Sequence, residues 1–249
     1  TLTISSSGNT YSGATTVSAG TLAVSGSLTS SAVSMTGGDV TIGGTVSTLT
    51  ASSSGNLSVS GTATSVTMAS GADVNVTGTL GGLTFDSGGN MSVGTTGAVG
   101  TVGTSSITIN GGGYKWTMSS ANGSAGTAYD QITSTGGLTS SGQLTIYAYG
   151  TPGDWDGSAS YDWDIFNANS ASGFSAGNFT LNLDNFGIAA GNRTGTWAFS
   201  NPSGGVIRLS YAPSGDPVWT GGTGNFSTGF TPSASNGDDI AFSGAGGTA

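Results

Sequence analysis

The sequence predicts an all-β chain wound as a right-handed parallel β-helix (β-solenoid), with an aromatic-rich, less regular C-terminal half. Three observations carry this: a composition that disfavours helix, an apolar pair returning at a near-constant interval, and an abrupt gain of aromatics at Tyr114. Of 249 residues, 47 are Gly, 41 Ser and 38 Thr, about half the chain. Gly and β-branched Thr are poor helix formers, and Ser competes for backbone hydrogen bonds, so any long window disfavours helix. A disordered Gly/Ser linker would carry few apolar residues, whereas 35% are hydrophobic here.

The pattern polar, apolar, polar, apolar, small, small recurs as TLTISS, TLAVSG, DVTIGG, NLSVSG, DVNVTG, NMSVGT and SITING. These copies start at Thr1, Thr21, Asp39, Asn56, Asp73, Asn90 and Ser106, at intervals of 20, 18, 17, 17, 17 and 16 residues. Within each copy two apolar residues stand two apart, as in Leu22/Val24, Val40/Ile42, Leu57/Val59, Val74/Val76 and Met91/Val93. Period two means a strand with one buried face. A second pair follows at Leu49/Ala51, Val66/Met68 and Leu83/Phe85, moved to Val33/Met35 in the first full copy. Between the pairs a single position holds Leu28, Val46, Ala63, Leu80 and then Gly97.

One copy cannot bury these side chains, but copies stacked at about 4.8 Å align like with like into internal columns. Seven copies would make a rod of about 30 Å. Connections between successive parallel strands are overwhelmingly right-handed, which sets the expected hand. An antiparallel sandwich would show hairpin signals every 8–12 residues and has no reason to repeat homologous strands at one period.

Residues 1–113 thus form the regular rungs. Residues 114–217 hold four of the five Trp, and Tyr11 and Phe85 are the only aromatics before Tyr114, so the core must widen. Alternating strands continue at 144–149, 179–183 and 206–211, as further rungs or as an aromatic cap over the exposed edge. Residues 218–249 form a separate C-terminal strand segment.

Charge and missing residue types exclude several functions. Twelve Asp and no Glu face Lys115, Arg193 and Arg208, for a net charge of −9. Nucleic acid is not an expected partner, because phosphate backbones are bound by basic residues. An anionic membrane surface is disfavoured likewise, and no apolar run approaches the roughly 18 residues of a membrane-spanning helix. With no Cys and no His, disulfides, thiolate chemistry and His-based acid/base work are absent. The chain opens on Thr rather than Met, which leaves an upstream leader or domain open.

Two sets of polar residues are candidates for chemistry. Asp39, Asn56, Asp73 and Asn90 each follow a Gly-containing turn and read as turn residues, with a calcium ladder as the sharper alternative. The run GDWDGSASYDWD (153–164) gathers Asp154, Asp156, Asp162 and Asp164 around two Trp. A calcium loop begins with carboxylates at alternating positions, but Ser and Ala follow and no Glu closes it. A sugar platform would use Trp155 and Trp163 as flat faces beside Asp acceptors; a solvated loop anchored by its aromatics is the bland reading. Glycoside hydrolysis needs two carboxylates, and Asp162/Asp164 is the pair on offer, yet nothing supplies a partnered acid of raised pKa, so no catalysis is expected. Calcium is accordingly the one cofactor considered. Asn56, Asn75 and Asn178 head Asn-x-Ser/Thr sequons, which chance supplies in so Ser/Thr-rich a chain.

The segment LTISSSGNTYSGATTVSAGTLAV (2–24) resembles the autotransporter-associated β-strand repeat of bacterial surface passengers. The resemblance lies in Leu2/Ile4, Asn-Thr-Tyr-Ser-Gly at 9–13, Thr-Thr-Val at 15–17 and Gly-Thr-Leu at 20–22. The stretch 129–146 is similar to the segment that commonly follows such repeats. VWTGGTGNFSTGF (218–230) and NGDDIAFSGAGGTA (236–249) resemble the opening of a new module, here standing at the C-terminus. The resemblance implies a secreted right-handed β-helix of the bacterial exterior or cell surface; this sequence departs from a full autotransporter in lacking a membrane barrel, which leaves the secretion route open.

The function expected from these readings is a non-enzymatic structural protein whose partners are copies of itself. Unpaired rungs at each end are templates for other chains, so copies add head to tail into a fibre. Trp219, Phe226, Ile240 and Phe242 at one end and Leu2 and Ile4 at the other are the expected assembly residues. The alternative is an adhesin or glycan-binding passenger that uses the Trp/Asp loops on a solenoid spacer.

Overall fold

The computed structural model describes residues 1–214 and is a β-solenoid of two sheets, parallel but for the last two strands of the second. The first sheet has nine strands: Leu2–Ile4, Thr21–Val24, Asp39–Ile42, Asn56–Val59, Asp73–Val76, Asn90–Val93, Gly113–Thr117, Leu144–Tyr149 and Phe179–Asn182. Every neighbouring pair in it is parallel. Leu22, Val40, Leu57, Val74, Met91 and Tyr114 form one inward column, and Val24, Ile42, Val59, Val76 and Val93 the next, all buried. Each such side chain contributes about 1.5–3 kcal/mol on leaving water, so the columns hold the coils together.

The second sheet has fourteen strands. Its strands Thr45–Ala51, Thr62–Met68 and Thr79–Phe85 each turn two inward faces to the core: Val46, Ala63 and Leu80, then Leu49/Ala51, Val66/Met68 and Leu83/Phe85. From Thr101 the two faces become separate strands, Thr101–Thr104 with Ser106–Ile109, Gln131–Ser134 with Gly137–Ser140, and Tyr161–Asn167 with Ser170–Ser172. Each coil is therefore a triangle, and the expected offsets of apolar residues are its three sides.

The copy placed at Ser106 is corrected by the structure. Ser106–Ile109 lies in the second sheet, paired with Gly82–Phe85, and the next first-sheet strand is Gly113–Thr117. A two-residue apolar period looks the same on either side of the triangle, so spacing alone misassigned it. Gly97 likewise leaves its column: it sits at φ +91° in a loop, 94–100, inserted after Asn90–Val93.

Paired residues in the first sheet give coil lengths, by subtraction, of 20, 18, 17, 17, 17, 23, 32 and 35 residues. Most of the growth to 23 and 32 residues, and half of that to 35, falls at one corner. Regular coils cross from first to second sheet through two residues, Gly43–Gly44, Ser60–Gly61 or Thr77–Gly78; later coils use 94–100, 118–130 and 150–160. The parallel winding then ends: Val206–Ala212 runs antiparallel to Tyr161–Asn167, and Thr196–Ser200 antiparallel to that. Among the described residues no helix is long and apolar enough to cross a membrane.

Candidate functional site

Two unlike ends bound the rod. At the first, among the described residues, Leu2–Ile4 pairs only with Thr21–Val24, and Thr15–Val17 only with Val33–Met35. A column residue is sealed by the rung on each side of it, and Leu2 has a described rung on one side alone. It is 61% exposed, while Leu22 above it is 2% exposed. Ile4 accepts a bond from Ser25 N at 3.0 Å, which turns its polar groups toward Thr21–Val24. Alternation along the strand then points the N–H and C=O of Thr3 outward, away from the rod. This edge thus carries a row of backbone groups with no partner strand among the described residues, beside the exposed Leu2 side chain. Tyr11, also exposed, donates its hydroxyl to Ala14 O at 3.1 Å and so holds the connection that follows the first strand.

At the other end the enlarged corner loops are stitched to one another. Asp154 accepts from Ala121 N at 2.7 Å, Ser120 Oγ at 2.8 Å and Asn122 N at 3.1 Å. Trp163 Nε1 donates to Ala121 O at 3.0 Å, and Trp155 Nε1 to Asn192 O at 2.7 Å. Between the loops lies an aromatic stack in which Trp116, Trp155 and Trp197 each stand 5.6–6.3 Å from a neighbouring Trp ring.

The four Asp of 153–164 serve three tasks. Asp154 ties down the 120–122 turn. Asp156 closes a turn of its own by accepting from Ser158 N and Oγ at 2.9 and 2.7 Å. Asp162 and Asp164 flank Arg208, whose Nε reaches Asp164 Oδ1 at 2.7 Å and whose Nη1 reaches Asp162 Oδ2 at 3.3 Å. Among the described residues no three acidic side chains gather into a group that could hold a metal ion. Of the four residues that follow Gly-containing turns, Asp39 Oδ1 accepts from Asn56 N and Nδ2 at 3.2 Å, and Asp73 pairs with Lys115.

Trp155 and Trp163 do not form one exposed platform. Trp163 is fully buried on Tyr161–Asn167, and half-buried Trp155 is ringed by Tyr161, Trp163, Phe186, Trp197 and Tyr211. An open depression of about 360 Å³ beside Trp155 is lined by Asp156, Ser158, Asn192 and Thr194. Trp219, Phe226, Ile240 and Phe242 lie outside the described residues.

Sequence reasoning passed over Asp130, the one fully buried carboxylate among the described residues. Its oxygens accept from Gly100 N at 2.7 Å and Thr117 N at 2.8 Å, and its carbonyl accepts from Trp116 Nε1 at 2.8 Å. It clamps the first enlarged corner to the first-sheet strand that opens the aromatic half. Burial pushes its pKa up to about 7 against the pull of the Thr117 and Gly100 amides. An acid that keeps its proton in the fold but loses it when unfolded makes stability fall as pH rises between the two values. The fold is therefore expected to lose up to about 4 kcal/mol between pH 4 and pH 7, then level off. Asp154 works in the opposite sense: burial would raise its pKa, but the Ala121, Ser120 and Asn122 donors outweigh that and hold it below the usual carboxylate range. Its contribution is present above pH 4 and lost as pH falls further. Denaturant titrations at pH 3, 4.5, 6 and 8 should peak near pH 4.5, and Asp130→Asn should remove the decline on the alkaline side.

Residues 1–24, which hold Leu2–Ile4, Thr15–Val17 and Thr21–Val24, match the family model of the passenger-associated-transport-repeat. No curated protein and no solved structure matches the chain. The match agrees with the repeat read at 2–24 and covers the first end of the rod; it ties the chain, coarsely, to autotransporter passengers and so to the bacterial exterior or cell surface.

Proposed function

We propose that the chain is a structural protein of the bacterial exterior that assembles end to end by strand addition at the rung edge formed by Leu2–Ile4. The observation that carries this reading is that edge itself: Leu2 is 61% exposed where Leu22, Val40, Leu57, Val74, Met91, Tyr114 and Ile146 of its column are buried. Thr3 directs outward backbone groups that have no partner strand among the described residues, which is the template for β-strand addition. The two ends differ: at the far one the second sheet closes in an antiparallel hairpin while the first sheet ends on the parallel strand Phe179–Asn182. Contact between unlike ends is heterologous and does not close, so it extends as a filament. Only 6% of residues are charged, which leaves little repulsion between stacked copies.

Electron microscopy of the purified chain tests the reading, with filaments of one-subunit repeat as the expected image. Thr3→Pro removes the outward N–H and leaves the bonds to Thr21–Val24 in place, because proline is tolerated on strand edges. That variant, and a chain lacking 218–249, should give dispersed monomers with unchanged circular dichroism. Monomers from the unaltered chain, or filaments from both variants, would overturn the proposal.

A further inference from the structure

The depression beside Trp155 is built from two loops fixed to each other. Trp155 and Asp156 come from the corner 150–160, and Asn192 and Thr194 from the connection 183–195 between Phe179–Asn182 and Thr196–Ser200. Besides the bond from Trp155 Nε1 to Asn192 O, the Tyr211 hydroxyl donates to Gly157 O at 3.0 Å and accepts from Gly195 N at 3.2 Å. A Cβ added at Gly157 would fall 2.5 Å from Asn192 O, so the two walls meet at backbone level. Arg193 is held in turn, its Nη1 donating to Leu183 O at 2.7 Å. The shape therefore exists before any ligand arrives, and binding does not have to order it.

We infer that this depression binds one residue of a neutral saccharide. Asp156 Oδ1 takes both Ser158 donors, which fixes the carboxylate, while Oδ2 accepts no bond from the described residues. Those donors, the Ser158 hydroxyl foremost, hold the Asp156 pKa below the usual carboxylate range, so the group stays an ionised acceptor near neutral pH. Asn192 bonds through its backbone N and O, which leaves its carboxamide without a partner among the described residues. Thr194 adds a hydroxyl, and half-buried Trp155 an apolar wall.

This lining decides against other ligand classes. It holds one carboxylate and no Lys or Arg, so phosphates, sulfates and uronates would meet a charge of their own sign. An apolar ligand would strip water from a carboxylate, a carboxamide and hydroxyls without replacing it. A single carboxylate is too little for calcium, which takes about six to eight oxygens. A sugar ring matches the set: its hydroxyls give protons to Asp156 Oδ2 and both give to and take from the Asn192 carboxamide, while its C–H groups lie against Trp155. The volume of about 360 Å³ suits one ring, near the lower end of the roughly 300–1,000 Å³ of small-molecule sites. The inference does not rest on end-to-end assembly, because neither Asp156 nor Asn192 belongs to the Leu2–Ile4 edge.

Saturation-transfer NMR with glucose, galactose, mannose and N-acetylglucosamine, each at millimolar concentration, tests the site, and transfer to at least one of them is expected. Asp156→Asn keeps Oδ1 for Ser158 and turns Oδ2 into a donor; Asn192→Ala removes the carboxamide and keeps the carbonyl that holds Trp155. Each should weaken binding by about tenfold or more, the loss of a hydrogen bond to a sugar hydroxyl, with unchanged circular dichroism and melting. Asp86→Asn, which alters the acid that accepts from Asn110 far from this loop, should bind as the unaltered chain does. No transfer to any of the four sugars would overturn the inference, as would transfer that survives both Asp156→Asn and Asn192→Ala. Glucuronate or inorganic phosphate binding as well as the neutral sugars would overturn the ligand class. Binding seen only in a chain lacking 218–249 would overturn the site as one that the full chain presents.

Discussion

Replacing Trp163 with alanine is expected to destabilise the chain by about 3–5 kcal/mol, the cost of emptying a fully buried tryptophan site. The indole stands 5.8 Å from both Trp116 and Trp197, so the void opens where three enlarged coils meet. Its N–H also satisfies Ala121 O, which would lose that donor. A solenoid contacts itself coil by coil, so the damage should be local. Hydrogen exchange should show amides of 114–212 losing protection while those of 39–93 keep it. Uniform loss along the rod would mean that the aromatic half and the regular half unfold as one unit. The same variant separates structure from recognition, because a core tryptophan cannot present a face to a sugar without unfolding its surroundings.

How far the sequence revealed this arrangement depends on how far each residue repeats its neighbour in the stack. Leu57, Val74 and their column were legible because one coil is the environment of the next, and equal spacing reports equal environment. Ser106 was misplaced because an apolar pair two apart satisfies any side of the triangle, and only the count of residues to the next pair separates them. The run 153–164 held a signal that was passed over. Tyr161, Trp163 and Ile165 alternate with Asp162 and Asp164, which is a strand with its aromatics inward and its acids outward. Reading the acids as one loop hid their partner, Arg208, which lies 44 residues beyond Asp164 and meets it through an antiparallel pairing. Asp130 left a fainter trace, an acid at the start of a strand in a chain with few charges. Its two amide donors come from Gly100 and Thr117, and no local pattern joins positions so far apart.

The glycines of the tight corner should prove nearly as sensitive as the tryptophans, although they bury no side chain. Gly61 lies over Gly44, which lies over Gly26, and an added Cβ at Gly61 would fall on Gly44 O. None of the three has positive φ, so conformational freedom is not the reason for glycine here. The reason is spacing: coils stacked at about 4.8 Å leave no room for a methyl group between one corner and the next. Neither partner can rotate away, since both are backbone held by ladders on each side. Gly61→Ala is therefore expected to cost about 3 kcal/mol, the upper end for overpacking a close-packed site. Two further variants isolate the cause. Gly71 has φ +86° with open space around it, so Gly71→Ala should cost about 1 kcal/mol from backbone strain alone. Gly8 has neither positive φ nor a close neighbour, and Gly8→Ala should be neutral or slightly stabilising. Denaturation midpoints in the order Gly8→Ala, Gly71→Ala, Gly61→Ala, highest to lowest, follow if coil-to-coil contact governs this corner. Equal midpoints for Gly61→Ala and Gly8→Ala would mean that the coils are not in contact there, and that the columns rather than the corners set the spacing of the rod.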